Sequence, residues 1–113
     1  MQIKFCNSGK KFRIETADTF ITKFFGLMGR KRLPDGDGLL LENCGSIHCF
    51  FMKFPIDVIY LDGDRKVIYK ETVKPWKTGT CKYLFSHKKI SVLEVNAGAA
   101  KGVQVGEEMR ILI

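Results

Sequence analysis

The chain has 113 residues, 45% hydrophobic and 27% charged, the composition of one ordinary globular module and too little sequence for two cores. No apolar run reaches the roughly 18 residues that a membrane-spanning helix needs, and this balance excludes wholesale disorder. With 19 Lys+Arg against 12 Asp+Glu the net charge is +7, so nucleic acid and other acidic surfaces are the first partners to consider.

In chain order, Ile3–Phe5 and Phe12–Ile14 alternate apolar with polar residues around Asn7-Ser8-Gly9, the pattern of two antiparallel strands joined by a turn. This start lacks the basic, apolar and small-residue succession of a secretory signal, so a cytoplasmic protein is expected. Between Asp18 and Gly29, Phe20, Ile21, Phe24, Phe25 and Met28 recur at helical spacing behind a cap candidate, Thr16 or Asp18. They predict one amphipathic helix with its apolar stripe on the core. Arg30–Gly38 reads as a basic, then Gly/Pro/Asp-rich loop before the strand Leu39–Leu41.

Ile47–Lys53 and Ile56–Leu61 read as two longer strands interrupted at Phe54-Pro55, because proline cannot donate to a ladder. Asp62-Gly63-Asp64-Arg65 predicts a hairpin turn into the strand Lys66–Tyr69, since Asp-Gly accepts positive φ. Thr72–Thr80, with Pro75, Trp76 and Gly79, reads as a loop. Cys81–Phe85 and Ile90–Val95 read as strands, Asn96–Gly106 as a glycine-rich stretch with one short helical turn, and Met109–Ile113 as the last strand. The expected class is mainly β (α+β): a small antiparallel β-barrel or sandwich of about eight or nine short strands with one helix packed across it, a single domain over residues 1–113.

Cys6, Cys44, Cys49 and Cys81 include no Cys-x-x-Cys pair, and a chain long enough to build a core does not require disulfides, so free buried thiols are expected. Cys44, His48, Cys49, Met52, Cys81 and His87 are soft ligand types at loose spacing. His48 and Cys49, as consecutive strand residues, would face opposite ways. No metal and no cofactor are expected. There is no Gly-x-Ser-x-Gly elbow, phosphate loop or recognisable Cys-His pair, so the residues alone assign no reaction.

Several blocks resemble one family. Lys23-x-x-Gly26-Leu27-Met28-Gly29-Arg30, Leu33-Pro34, Gly38-Leu39-Leu40-Leu41 and above all Ile47-His48-x-Phe50-Phe51-Met52-Lys53-Phe54-Pro55-Ile56-Asp57 are similar to the prokaryotic domain of unknown function 192 family. Pro75-Trp76, Val92-Leu93-Glu94-Val95-x-Ala97-Gly98 and Gly102-Val103-x-Val105-Gly106-Glu107 follow in the family's order. The resemblance implies a compact, mostly β domain without an established activity; some relatives carry an export signal or lipid anchor. Cys49 stands where threonine is frequent in the family, which speaks against a family-wide thiol site.

The candidate site gathers around this block. Alternation in Ile47–Lys53 places His48, Phe50 and Met52 on one face and Cys49, Phe51 and Lys53 on the other. Were Phe54-Pro55 a two-residue connection, His48 would lie opposite Leu61 and Met52 opposite Asp57. His48 and Asp57 would then stand roughly 13 Å apart, at about 3.3 Å per residue. That is too far for an Asp-oriented general base. The candidate ligand-binding residues are His48, Met52, Lys53, Asp57, Arg30, Trp76 and Glu94, each with a structural alternative: a satisfied histidine, a core methionine, an Asp57 paired with Lys53 or Arg30, a helix-end cation, a Glu94 on a solvent face.

Three readings follow. The first is a small-molecule binding domain with its groove near the His48–Asp57 segment, biased toward anionic ligands by Arg30-Lys31-Arg32. The second is a non-enzymatic module for protein interaction or cell-envelope assembly that presents the same surface, Phe54 and Trp76 included. Nucleic-acid binding is the least favoured, because the basic residues are spread over turns and strand ends and the nearby aromatics form no stacking block.

Overall fold

The computed structural model describes residues 1–17, 32–44, 46–48, 53–83 and 89–112. The expected helix over 18–29, residues 49–52 of the expected strand Ile47–Lys53, and 84–88 lie outside them. Nine strands are described: β1 (Gln2–Phe5), β2 (Lys11–Ala17), β3 (Asp37–Leu41), β4 (Ser46–His48), β5 (Ile56–Leu61), β6 (Val67–Val73), β7 (Thr78–Thr80), β8 (Ser91–Asn96) and β9 (Met109–Leu112). They form a seven-stranded sheet of order β6-β5-β8-β3-β2-β1-β9 and a two-stranded ribbon, β4-β7. Among the described residues there is no helix.

The strands at the centre of the sheet are buried on both faces, which is why Leu39–Leu41, Ile56–Leu61 and Val92–Val95 read as nearly unbroken apolar runs. Leu39, Leu41, Ile56, Val58, Tyr60 and Val92 pack with Leu33, Phe54, Val73 and Cys81 on one face. Leu40, Ile59, Leu61, Leu93 and Val95 pack on the other with Ile3, Phe5, Phe12 and Ile14.

Two expectations about architecture are corrected. The sheet is mixed, because β2 and β3 run parallel with Ile14 opposite Gly38 and Ala17 opposite Leu41. A parallel pair cannot be closed by a tight turn, so β2 and β3 require a crossover connection. The sheet is also not closed into a barrel. The starts of its edge strands β6 and β9 meet, among the described residues, at one isolated antiparallel bridge, Lys66 to Glu108, with three backbone bonds around it: Val67 N–H to the Glu107 carbonyl at 2.9 Å, Gly106 N–H to the Val67 carbonyl at 2.7 Å and Met109 N–H to the Arg65 carbonyl at 2.8 Å. Closure requires a continuous staggered ladder, which a single bridge does not supply.

The ribbon rests on the face that carries Tyr60. At Gly79 an added Cβ would come within 2.8 Å of Val73 Cγ2, 3.1 Å of the Tyr60 hydroxyl and 3.2 Å of Glu71 Oε2. Only glycine allows β7 this approach, so the stretch read as a loop from Thr72 to Thr80 contains a strand selected by packing rather than by pattern. Beneath it Tyr60 donates its hydroxyl to Glu71 at 2.8 Å. Burial, followed by that bond, pushes the phenol well above its ordinary range.

The hairpin at Asp62–Lys66 is present, but its left-handed residue is Arg65 (φ 61) and not the glycine. Asp62 Oδ1 accepts the N–H groups of Asp64 at 2.9 Å and Lys66 at 3.0 Å, which fixes a longer turn and moves the positive φ beyond Gly63. Cys6, Cys44 and Cys81 are in no disulfide, as expected, but only Cys81 is buried; Cys44 is half-buried and Cys6 exposed.

Candidate functional site

Strand alternation turns Asp57 to the same face as Ile59 and Leu61, with Thr72 of β6 and Val95 of β8 as its register neighbours. The glycine-containing segment after β8 folds back over this face, with Gly98 at φ 89. Asp57 Oδ1 accepts the Thr72 hydroxyl at 2.7 Å, and Oδ2 accepts the N–H groups of Gly98 at 2.9 Å and Ala100 at 3.1 Å. Three donors thus satisfy a buried carboxylate and fix the loop through its backbone. Lys70, two residues before Thr72 and on the same face, donates its ammonium to the carbonyls of Val103 and Ala100.

These groups frame a cavity of about 330 Å³ lined by Asp57, Lys70, Glu71, Thr72, Gly98, Ala100 and Lys101. That volume falls at the lower end of small-molecule sites. An ammonium has three donors, of which Lys70 uses two on the loop, and among the described residues Lys101 makes no ion pair. Both carboxylates of the lining are engaged, Asp57 by its three donors and Glu71 by the Tyr60 hydroxyl, while the two ammonium groups keep donor capacity. Among the described residues no group of three or more His, Cys, Asp or Glu side chains is placed to hold a metal ion.

The residues singled out from sequence do not converge on one point. The assumed pairing of the His48 strand with Ile56–Leu61 is corrected: β4 pairs with β7, His48 opposite Thr78, while β5 lies between β6 and β8. The break at Pro55 thus carries the chain from the ribbon into the main sheet. Met52 and Arg30 lie outside the described residues, Lys53 is exposed, and Phe54 is core rather than surface. Asp57 is engaged by Thr72 and the 98–100 backbone, not by the cations expected for it.

Trp76 occupies a turn in which the Lys77 N–H donates to the Lys74 carbonyl at 3.2 Å. Pro75 is the second turn residue and Trp76 the third, with φ 67, the sign of a type II turn. A left-handed backbone costs a non-glycine residue roughly 1–2 kcal/mol, yet Trp76 is 56% exposed.

Glu94 is not on a solvent face. It is 5% exposed, between Leu39 of β3 and Val58 of β5, on the face opposite Asp57. No hydrogen-bond partner for its carboxyl is found among the described residues, and burial pushes its pKa up to about 8.

Lys70, Thr72 and Lys101 were missed by sequence reasoning. The usable signal was Lys70-x-Thr72, whose period of two continues β6 beyond Tyr69. The backbone donors of Gly98 and Ala100 have no residue-type signature.

The model of the DUF192 family, described as "Uncharacterized ACR", matches residues 3–112. The chain belongs to this family. A UPF0127 protein of Thermococcus kodakarensis is 34% identical over 101 residues, covering 84% of this chain and 60% of that protein. A UPF0127 protein of Pyrococcus furiosus is 43% identical over 74 residues, covering 61% of this chain and 64% of that protein. The chain therefore spans less than two thirds of the length of these curated relatives. A crystal structure of a protein of unknown function from Novosphingobium aromaticivorans has a TM-score of 0.84 at 24% identity, covering 97% of this chain and 84% of that one. A protein from Sinorhizobium meliloti put forward as a transcription regulator has a TM-score of 0.76 at 20% identity, over 96% and 91% of the two chains. Both are likenesses of fold. Among the described residues no helix is long and apolar enough to cross a membrane.

Proposed function

We propose that this protein binds a small anionic ligand, a carboxylate or phosphate compound, in the cavity between β6 and the loop after β8. The observation that carries this reading is the composition of the cavity: Lys70 and Lys101 line a space of about 330 Å³ whose two carboxylates are already engaged internally, Asp57 by three donors and Glu71 by the Tyr60 hydroxyl. An entering anion would meet the remaining donor capacity of two ammonium groups without having to displace the Asp57 bonds. Asp57 then acts as a positioning residue that holds the loop, and Lys101, at the exposed rim, contacts the ligand.

The reading is tested by thermal shift and calorimetry against phosphate, citrate and a set of nucleotides and sugar phosphates. At least one anion should raise the melting temperature, and Lys101→Glu should weaken its binding at least tenfold while leaving the melting temperature without ligand nearly unchanged. If no anion stabilises the protein, or if Lys101→Glu binds as well as the parent, the cavity is not an anion site.

A further inference from the structure

We infer that the Lys74–Lys77 turn is a contact for an anionic membrane surface, with Trp76 seated in the bilayer interface and Lys53, Lys74 and Lys77 against the lipid head groups. This site is separate from the cavity and does not depend on it. Trp76 is the one tryptophan of the chain, and it stands 56% exposed on a turn position that favours glycine or asparagine. The Lys77 to Lys74 hydrogen bond closes the turn around Pro75, a rigid support for Trp76. An amphipathic ring with one apolar body and one N–H donor suits the boundary between head groups and acyl chains.

Among the described residues the cations around the turn are not paired with carboxylates. Ile56, where β5 begins, is opposite Val73, where β6 ends, so Lys53 and the Lys74–Lys77 turn lie at the same end of that ladder. Two arginines elsewhere are already compensated, Arg13 by Asp37 and Arg32 by Asp35. Among the described residues Lys53, Lys74 and Lys77 make no ion pair, and all three are exposed. Each lysine near an anionic bilayer strengthens binding about fivefold, and the chain's net charge of +7 adds long-range attraction.

Single-stranded nucleic acid fits less well. It needs successive aromatic platforms along a basic groove. The other exposed aromatic of this region, Tyr83, follows the far end of β7 and is packed edge-on against Tyr69, with ring centroids 6.4 Å apart.

Because the fluorescence of the whole chain reports this single indole, the test is direct. The protein is titrated with vesicles of phosphatidylcholine alone and with vesicles that also contain phosphatidylserine. Blue-shifted emission and co-sedimentation are expected with the anionic vesicles only, and both should disappear at high salt. The Lys74→Ala, Lys77→Ala double variant should partition roughly 25-fold more weakly. Trp76→Gly should still fold cooperatively, since glycine suits the turn, yet lose co-sedimentation; that outcome separates a contact residue from a structural one. The inference is overturned by an unshifted spectrum with anionic vesicles, by undiminished co-sedimentation of either variant, or by a spectral response to a single-stranded oligonucleotide and not to vesicles.

Discussion

Glu107 holds Ser8 by two bonds: its Oε1 accepts the Ser8 backbone N–H at 2.9 Å and the Ser8 hydroxyl at 3.1 Å. The same oxygen accepts the Asn7 N–H at 3.0 Å, while Oε2 takes the N–H of Gln104. One buried carboxylate therefore joins the β1–β2 turn to the segment before β9 by accepting the backbone N–H groups of three loop residues. Burial alone would raise the pKa of Glu107, but the bonds from Ser8, Gln104 and Asn7 outweigh it and hold the group below its ordinary value. Glu107→Ala should destabilise the protein by about 3 kcal/mol, measured by urea denaturation, given about 1.5–3 kcal/mol for a hydrogen bond to a charged group and incomplete additivity. Because the folded value lies below the unfolded one, this contribution is present above about pH 4.5 and is lost as pH falls through the folded value. A variant within about 0.5 kcal/mol of the parent would show that the carboxylate is dispensable for the join, that being the range of ordinary surface substitutions.

Gly79→Ala tests the seating of the ribbon on the sheet. The new methyl group would come within 2.8 Å of Val73 Cγ2, with the Tyr60–Glu71 pair just behind, so β7 must move off or the pair must separate. A loss of about 1–3 kcal/mol is expected, the usual range for overpacking. Hydrogen exchange should locate the effect: amides of 46–48 and 78–80 lose protection, while those of β5 and β8 keep theirs. Unchanged stability and protection would mean that the ribbon has room that the close approach denies.

The parts of this fold that could be read from sequence are those in which local chemistry and tertiary context agree. Ile56–Leu61 is bounded by Pro55 and Asp62-Gly63 and is observed with the bounds expected of it. The β1–β2 hairpin follows from alternation around a turn and is observed. The parallel pairing of β2 with β3 is not encoded in either strand but in the path of the connection between them. β7 has one small residue where an apolar alternation would have signalled a strand, because that position is occupied by the surface of Tyr60, Val73 and Glu71. In the site, Asp57 could be singled out because a charge in an apolar block is conspicuous. Its partners could not, since two of them are main-chain N–H groups brought over the sheet by a loop that begins some forty residues later. Glu94 illustrates the opposite error: alternation permits a solvent face, and only the layer above its strand decides that it is buried.

That burial gives Glu94 a pH dependence opposite in sign to that of Glu107. With its folded pKa at about 8 and its ordinary value at 4.5, the folded protein retains a proton that the unfolded chain has released throughout the interval between them. Stability should therefore fall as pH rises from about 4.5 to about 8, by an amount on the order of 4 kcal/mol in total, and level off above. Glu94→Gln keeps the shape of the neutral acid and removes the titration, so its stability should be flat over this interval. It should match the parent near pH 4.5 and exceed it by a few kcal/mol near pH 9. Urea denaturation of both proteins at a series of pH values measures the difference directly, and parallel profiles would show that Glu94 ionises in the folded state without cost. The two carboxylates bracket the pH range from opposite sides: acid removes the join at Glu107, and alkali charges the sheet interior at Glu94.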